Sequence, residues 1–167
     1  MTVKSVQKDP KALTMTVTAE LDATVERSWQ LWADPRQLER WWGPPGYPAT
    51  FTDHDLEPGG RVAYFMTGPE GDKYGGWWEI VSVESPRRLE FQDGFADDSG
   101  TPNDKMPVTT SIVTLTERSG GGTVMTIESR FPSVEAMEQL AEMGMEEGLK
   151  AAMGQMDAIL ASGVTAA

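Results

Sequence analysis

From Ala49 to Phe131 the chain runs through strand-like segments joined by reversals only a few residues long, which leaves few architectures open. Parallel neighbours need crossovers of about a dozen residues, so reversals this short dictate antiparallel pairing. Segments 50–56 and 61–67 flank Pro58-Gly59-Gly60, where Pro presets φ and Gly accepts positive φ. Gly68-Pro69-Glu70-Gly71-Asp72 turns the chain into 73–84, and Ser85-Pro86 turns it again into 88–92. After a polar interruption from Asp93 to Pro107, segments 108–117 and 123–131 are joined by Ser119-Gly120-Gly121-Gly122. The reading is a meander of five or six strands.

What flanks the meander defines the rest of the fold. Leu13, Met15 and Val17 alternate with Thr14, Thr16 and Thr18, the period-2 pattern of a strand with one buried face. Asp22 or Thr24 can cap a helix that places Val25, Trp29 and Trp32 on one side. Asp34-Pro35 opens a second, short helix, with Asp34 as cap and Pro35 at the first helical position. Gly43-Pro44-Pro45-Gly46 ends it after Trp41-Trp42. The last element reads as one helix from Ser133 to about Ala161. Val134, Met137, Ala141, Met145, Leu149, Ala152, Met156 and Ile159 form its apolar stripe. At this length it runs on the order of 40 Å, enough to cross a six- or seven-stranded sheet. The expectation is a single α+β domain over 13–161, with a flexible N-terminus at 1–12 and a tail at 162–167.

Composition narrows the function classes. A chain of 167 residues suits one domain, and six Trp with 39% apolar residues suit a packed core. No apolar run approaches the roughly 20 residues of a membrane helix, and the first residues lack a signal-like apolar stretch. With no Cys there is no thiolate nucleophile, disulfide or Cys-ligated metal, which suits the cytoplasm. A net charge of −12 opposes binding to nucleic acid or an anionic membrane.

Two features of the C-terminal helix point toward function. Gly144, Gly148 and Gly154 each cost roughly 0.8–1 kcal/mol against Ala in a helix interior. Gly144 and Gly148 share a face, which suggests a close backbone approach or a local bend. Met137, Met143, Met145, Met153 and Met156 either fill the core or form a deformable wall, since Met adapts to irregular apolar shapes.

Four motifs in order carry a family resemblance: Trp41-Trp42-Gly43-Pro44, Asp55 with Pro58-Gly59-Gly60-Arg61, Gly68-Pro69-Glu70-Gly71, and Glu79-Ile80 before Pro86-Arg87-Arg88-Leu89. Over roughly 10–161 the chain resembles the family related to the activator of heat-shock-protein-90 ATPase. That family lies within the helix-grip superfamily of START-like (SRPBCC), polyketide-cyclase and birch-pollen-allergen-like domains. The resemblance implies a curved antiparallel sheet of six to seven strands wrapped around a long C-terminal helix. Two short helices after the first strand would close a cavity between sheet and helix. The scaffold hosts binding proteins, cyclases and co-chaperone domains alike, so function has to be argued from the site.

Candidate chemistry is sparse. His54 is the single histidine, which excludes multi-histidine metal sites, and it is either a cavity group or a structural one. No nucleophile elbow, zinc-helix motif or phosphate-cradling loop is present. Asp93, Asp97, Asp98 and Asp104 do not fit a calcium loop and read as a solvated, mobile segment that gates the cavity. No cofactor is implied. Aromatic density is the stronger signal, and the expected ligand-facing set is Trp42, Tyr64, Met66, Trp78, Phe91, Phe95, Met145 and Leu149. The leading reading is binding of a small hydrophobic or aromatic molecule. An enzyme of cyclase, aromatase or hydrolase type would draw on His54, Glu79, Arg61 or Tyr64. A chaperone-associated interaction module is the third, with a homodimer or another protein partner left open.

Overall fold

The inner strands of the sheet each present one apolar face, and the sheet closes that face against helices. The computed structural model describes residues 3–97 and 99–161. Eight antiparallel strands form one sheet in the order β1-β2-β8-β7-β6-β5-β4-β3. They are β1 (Val3–Asp9), β2 (Thr14–Leu21), β3 (Ala49–His54), β4 (Arg61–Thr67), β5 (Lys73–Glu84), β6 (Arg88–Ala96), β7 (Thr109–Glu117) and β8 (Thr123–Arg130). In β2 the expected alternation is complete: Met15, Val17, Ala19 and Leu21 are buried, and the threonines between them are half-buried. All neighbouring pairs are antiparallel, so the meander expected from short reversals is what forms.

Between β2 and β3 lie α1 (Val25–Ala33) and α2 (Pro35–Trp41). Of the two candidate caps it is Thr24 that accepts the Arg27 backbone N–H, at 3.1 Å, while Asp34 caps α2 by accepting from Arg36. Edge strand β3 is covered by α2: the Phe51 N–H donates to Glu39 Oε2 at 2.7 Å, and Arg36 donates to the Phe51 carbonyl. Pairing groups at a sheet edge are thereby occupied.

Three expectations need correction. Residues 3–9 are not a frayed terminus but strand β1, paired along β2 and tied to the C-terminal helices by a Lys8–Glu146 ion pair. Its Lys-rich, mostly exposed pattern hid it, since an edge strand with little buried face carries no alternation to read. The strand count is therefore eight instead of six or seven. The C-terminal helix is not continuous: it forms α3 (Val134–Glu142), α4 (Met145–Met153) and α5 (Met156–Ala161). The first break is at Gly144, whose φ of 83° lies in the left-handed region that favours glycine. At the second break Gln155 Nε2 donates to the Gly43 carbonyl at 2.7 Å, fastening the helices to the loop after α2. The expected tail at 162–167 lies outside the described residues.

The core lies between the concave face and the helices. Trp32, Trp41 and Trp78 are fully buried. Trp41 Nε1 donates to the Leu31 carbonyl at 2.8 Å, and Trp32 Nε1 donates to Met125 Sδ.

Candidate functional site

Strand parity builds the site. In β4, Val62, Tyr64 and Met66 share the concave face; in β6, Leu89, Phe91, Asp93 and Phe95 do. Register then sets the neighbours. Tyr64 lies opposite Gly76, and Gly76 opposite Phe95; Trp78 lies opposite Asp93, and Asp93 opposite Thr109. The absent side chain of Gly76 is what lets the Tyr64 ring lie flat there, because a Cβ at that position would come within 2.3 Å of the Tyr64 hydroxyl oxygen. Tyr64 thus leans across β5 toward Trp78 and Asp93.

Around this point the aromatic rings form a continuous wall. Trp78 stacks on Phe91 at 4.0 Å between centroids, Phe51 stacks on Tyr64 at 5.1 Å, and Trp42 meets Trp78 edge-on at 4.9 Å. Two adjoining cavities open between wall and helices. One, of about 210 Å³, is bounded by Trp32, Trp42, Met66, Phe91, Met145 and Leu149, with Asp93, Ser111 and Ser129 as polar groups. The other, of about 200 Å³, is bounded by Tyr64, Phe95, Thr109, Leu140 and Met145 and shares Asp93. Together they fall within the lower range of ordinary small-molecule sites, roughly 300 Å³ upward.

Seven of the eight residues expected to face a ligand line one or both cavities: Trp42, Tyr64, Met66, Phe91, Phe95, Met145 and Leu149. Trp78 does not line them; it is 0% exposed and supports the wall from behind. The acid–base candidates fall elsewhere. Arg61 and Glu79 are paired in register but exposed on the convex face, because each sits one residue out of phase with an inward neighbour, Val62 and Trp78. His54 is half-buried, and its Nε2 lies 3.0 Å from the Trp32 carbonyl, a contact that fastens β3 to α1. None of these three lines either cavity.

Asp93 is the polar residue that the sequence reading misplaced. It does not belong to a solvated segment, since β6 continues through Ala96 and carries Asp93 inward between Phe91 and Phe95. The signal was there: Phe91, Asp93 and Phe95 alternate, and Gly94 keeps the outer face clear for Trp77, whose ring atoms would lie 2.5 Å from a Cβ. Only Asp97 onward forms a loop, organised by the Asp97 carboxylate, which accepts from the backbone of Ser99 and Thr101. Asp98 lies outside the described residues. Ser111 and Ser129 were also missed, although each continues the inward parity of a strand, Val113 and Leu115 in one and Met125 and Ile127 in the other.

The electrostatics are those of a carboxyl in apolar surroundings. Burial pushes the Asp93 carboxyl up to about 7, and its interaction with the Tyr64 hydroxyl opposes the rise only in part. Burial also raises the Tyr64 phenol, and the neighbouring Asp93 adds to that. The indole N–H groups of Trp42 and Trp78 interact with the Tyr64 oxygen, but neither closes a well-formed hydrogen bond and both are buried. Among the described residues, no group of three or more His, Cys, Asp or Glu is arranged to hold a metal ion.

A curved antiparallel sheet, two short helices and a C-terminal helical arm over an aromatic-walled cavity define a helix-grip protein of the START-like class. The family model for "Activator of Hsp90 ATPase homolog 1-like protein" matches residues 22–161, and the chain belongs to that family. Among solved structures, protein Ms6760 from Mycobacterium smegmatis is 52% identical, with a TM-score of 0.88, covering 95% of this chain and 96% of the other. A solution structure of a protein from Arthrobacter aurescens is also 52% identical, with a TM-score of 0.92 and coverage of 98% and 95%. An AHSA1 protein from Silicibacter pomeroyi is 20% identical at a TM-score of 0.72, covering 89% of this chain and 97% of the other, and shows the shared fold. No match was found among curated proteins.

Proposed function

We propose that this protein binds a small hydrophobic or aromatic molecule in the cavity between the sheet and α4. The observation that carries the reading is the aromatic-walled space beside Met145 and Leu149, which the surrounding side chains leave open despite a dense core on either side. An apolar cavity with a few convergent polar groups is the usual form of a small-molecule site. Membership of a helix-grip family is consistent with it.

The test is a thermal shift with neutral bicyclic aromatics such as naphthalene and 1-naphthylmethanol. A ligand that binds only the folded state stabilises it by RT ln(1 + [L]/Kd), about 2.7 kcal/mol at a hundredfold excess over Kd. A saturable rise in Tm with quenching of tryptophan emission is expected. No response across the panel would remove the reading.

A second reading, acid–base chemistry on the bound molecule, is favoured by one observation: the Asp93 carboxyl is held at about 7, where it can both give and take a proton near neutrality. It requires that ligand recovered after incubation be chemically changed, which mass spectrometry decides.

A further inference from the structure

The two cavities contain one ionisable carboxyl and nothing to balance it. Among the described residues, Asp93 is the acid they share, and their linings include no Lys, Arg or His. The elements packed around Asp93 present no charge either. In register it lies opposite Trp78 of β5 and Thr109 of β7, and across the cavities it shares their lining with Tyr64 of β4 and with Leu140, Met145 and Leu149 of the helices. Among the described residues Tyr64 is therefore the titratable group that faces it.

Tyr64 can meet only part of the carboxyl's hydrogen-bonding capacity. Its oxygen lies near the indole N–H groups of Trp42 and Trp78 and near Asp93. A carboxylate has two oxygens and about four lone-pair sites, and one phenol cannot fill them. Asp93 lines both cavities. A charge largely removed from water is tolerated best when it is paired, and the linings include no cationic side chain to pair it. An anion is repelled there, and a neutral molecule forms only an ordinary hydrogen bond.

We propose that the ligand is a lipophilic amine, whose ammonium group pairs with Asp93 while its apolar body lies against Trp32, Trp42 and Phe91. This names the ligand class for the binding reading above and rests on it. Charge-assisted hydrogen bonds are roughly twice as strong as neutral ones. The faces of Trp and Phe also attract a cation that has left water. The net charge of −12 raises the local concentration of cations and disfavours acids.

Three probes that share one ring and differ in one group separate the outcomes: 1-naphthylmethylamine, 1-naphthylmethanol and 1-naphthoic acid, titrated calorimetrically at pH 8 and pH 5.5. At pH 8 the amine should bind at least tenfold more tightly than the alcohol, and the acid most weakly. Because the Asp93 carboxyl titrates at about 7, amine affinity should fall roughly tenfold or more at pH 5.5, while the ammonium itself stays charged. Asp93→Asn, checked for folding by its melting curve, should erase the amine's advantage over the alcohol on that same variant. If alcohol or acid binds as tightly as the amine at pH 8, the amine assignment is overturned while cavity binding stands. If the preference survives Asp93→Asn, Asp93 is not its source and the proposal fails. If none of the three binds, both readings fall together.

Discussion

Asp93 shows how one residue sets the character of a site. Its neighbours in β6 are apolar and inward, and the strand carries the carboxyl in with them. The cost appears as linkage. An isolated carboxyl titrates near 3.8, whereas this one holds its proton to about 7 in the folded chain. Between those values the unfolded state has lost a proton that the native state keeps, so stability falls as pH rises through this window and is level above it. Asp93→Asn should therefore stabilise the protein at pH 8 by up to about 4 kcal/mol, with the gain shrinking to nothing near pH 4. Paired melting curves across that range check it. A gain independent of pH would mean that the carboxyl is solvated. At Gly148 the expectation of a close backbone approach is not met: a Cβ there would touch nothing within 4 Å, because the residue faces the cavity. Gly148→Ala should accordingly raise stability by about 0.5–1 kcal/mol through helix propensity alone. Measured by denaturant unfolding, a loss would show that the backbone needs glycine there.

At the scale of elements, the broken C-terminal arm is the main departure from a simple periodic reading. The apolar stripe from Val134 to Ile159 is compatible with one straight helix, and nothing in a 3.6-residue period marks a break. The glycines do mark it, because their propensity cost needs a reason, and Gly144 supplies one in its left-handed φ. The bend begins α4 at Met145, whose side chain reaches both cavities. Gly144→Ala should cost roughly 1–2 kcal/mol, the penalty of a left-handed L-residue. A loss of Tm of that order is expected, and an unchanged Tm would mean that α3 and α4 join into one helix at no cost. The opposite lesson comes from β6, where a run of polar residues after Gln92 reads as loop although the strand continues to Ala96. Composition and period conflict there, and the hydrogen-bonded register with β5 decides for the strand, through Asp93–Trp78 and Phe95–Gly76.

For the whole molecule the question is whether the space under α4 is a site or a packing fault. Met145→Trp answers it, since the larger ring would occupy the shared wall of both cavities. In an open cavity the change should abolish the thermal shift caused by 1-naphthylmethanol and alter stability by less than about 1 kcal/mol. In a tight core, overpacking of this kind costs typically 1–3 kcal/mol. Ligand titration and unfolding of the same variant separate the two.

Strand alternation, turn chemistry and helix caps were legible in the sequence, because each depends on residues within a few positions of one another. They suffice for an antiparallel meander, two short helices and a helical arm, and parity alone placed Tyr64 and Met66 on the inner face. Arg61 and Glu79 lay on the wrong side of that same parity, legible once Val62 and Trp78 are known to point inward. What the sequence could not decide depends on distant partners. Edge strand β1 exists because β2 offers it hydrogen bonds, not because it buries an apolar face. Tyr64 comes close to Asp93 because β4, β5 and β6 align in register and Gly76 opposite Tyr64 leaves room for its ring. A carboxyl acquires its unusual proton affinity only when folding removes its water and supplies no cation in return, and that balance is a property of the assembled cavity.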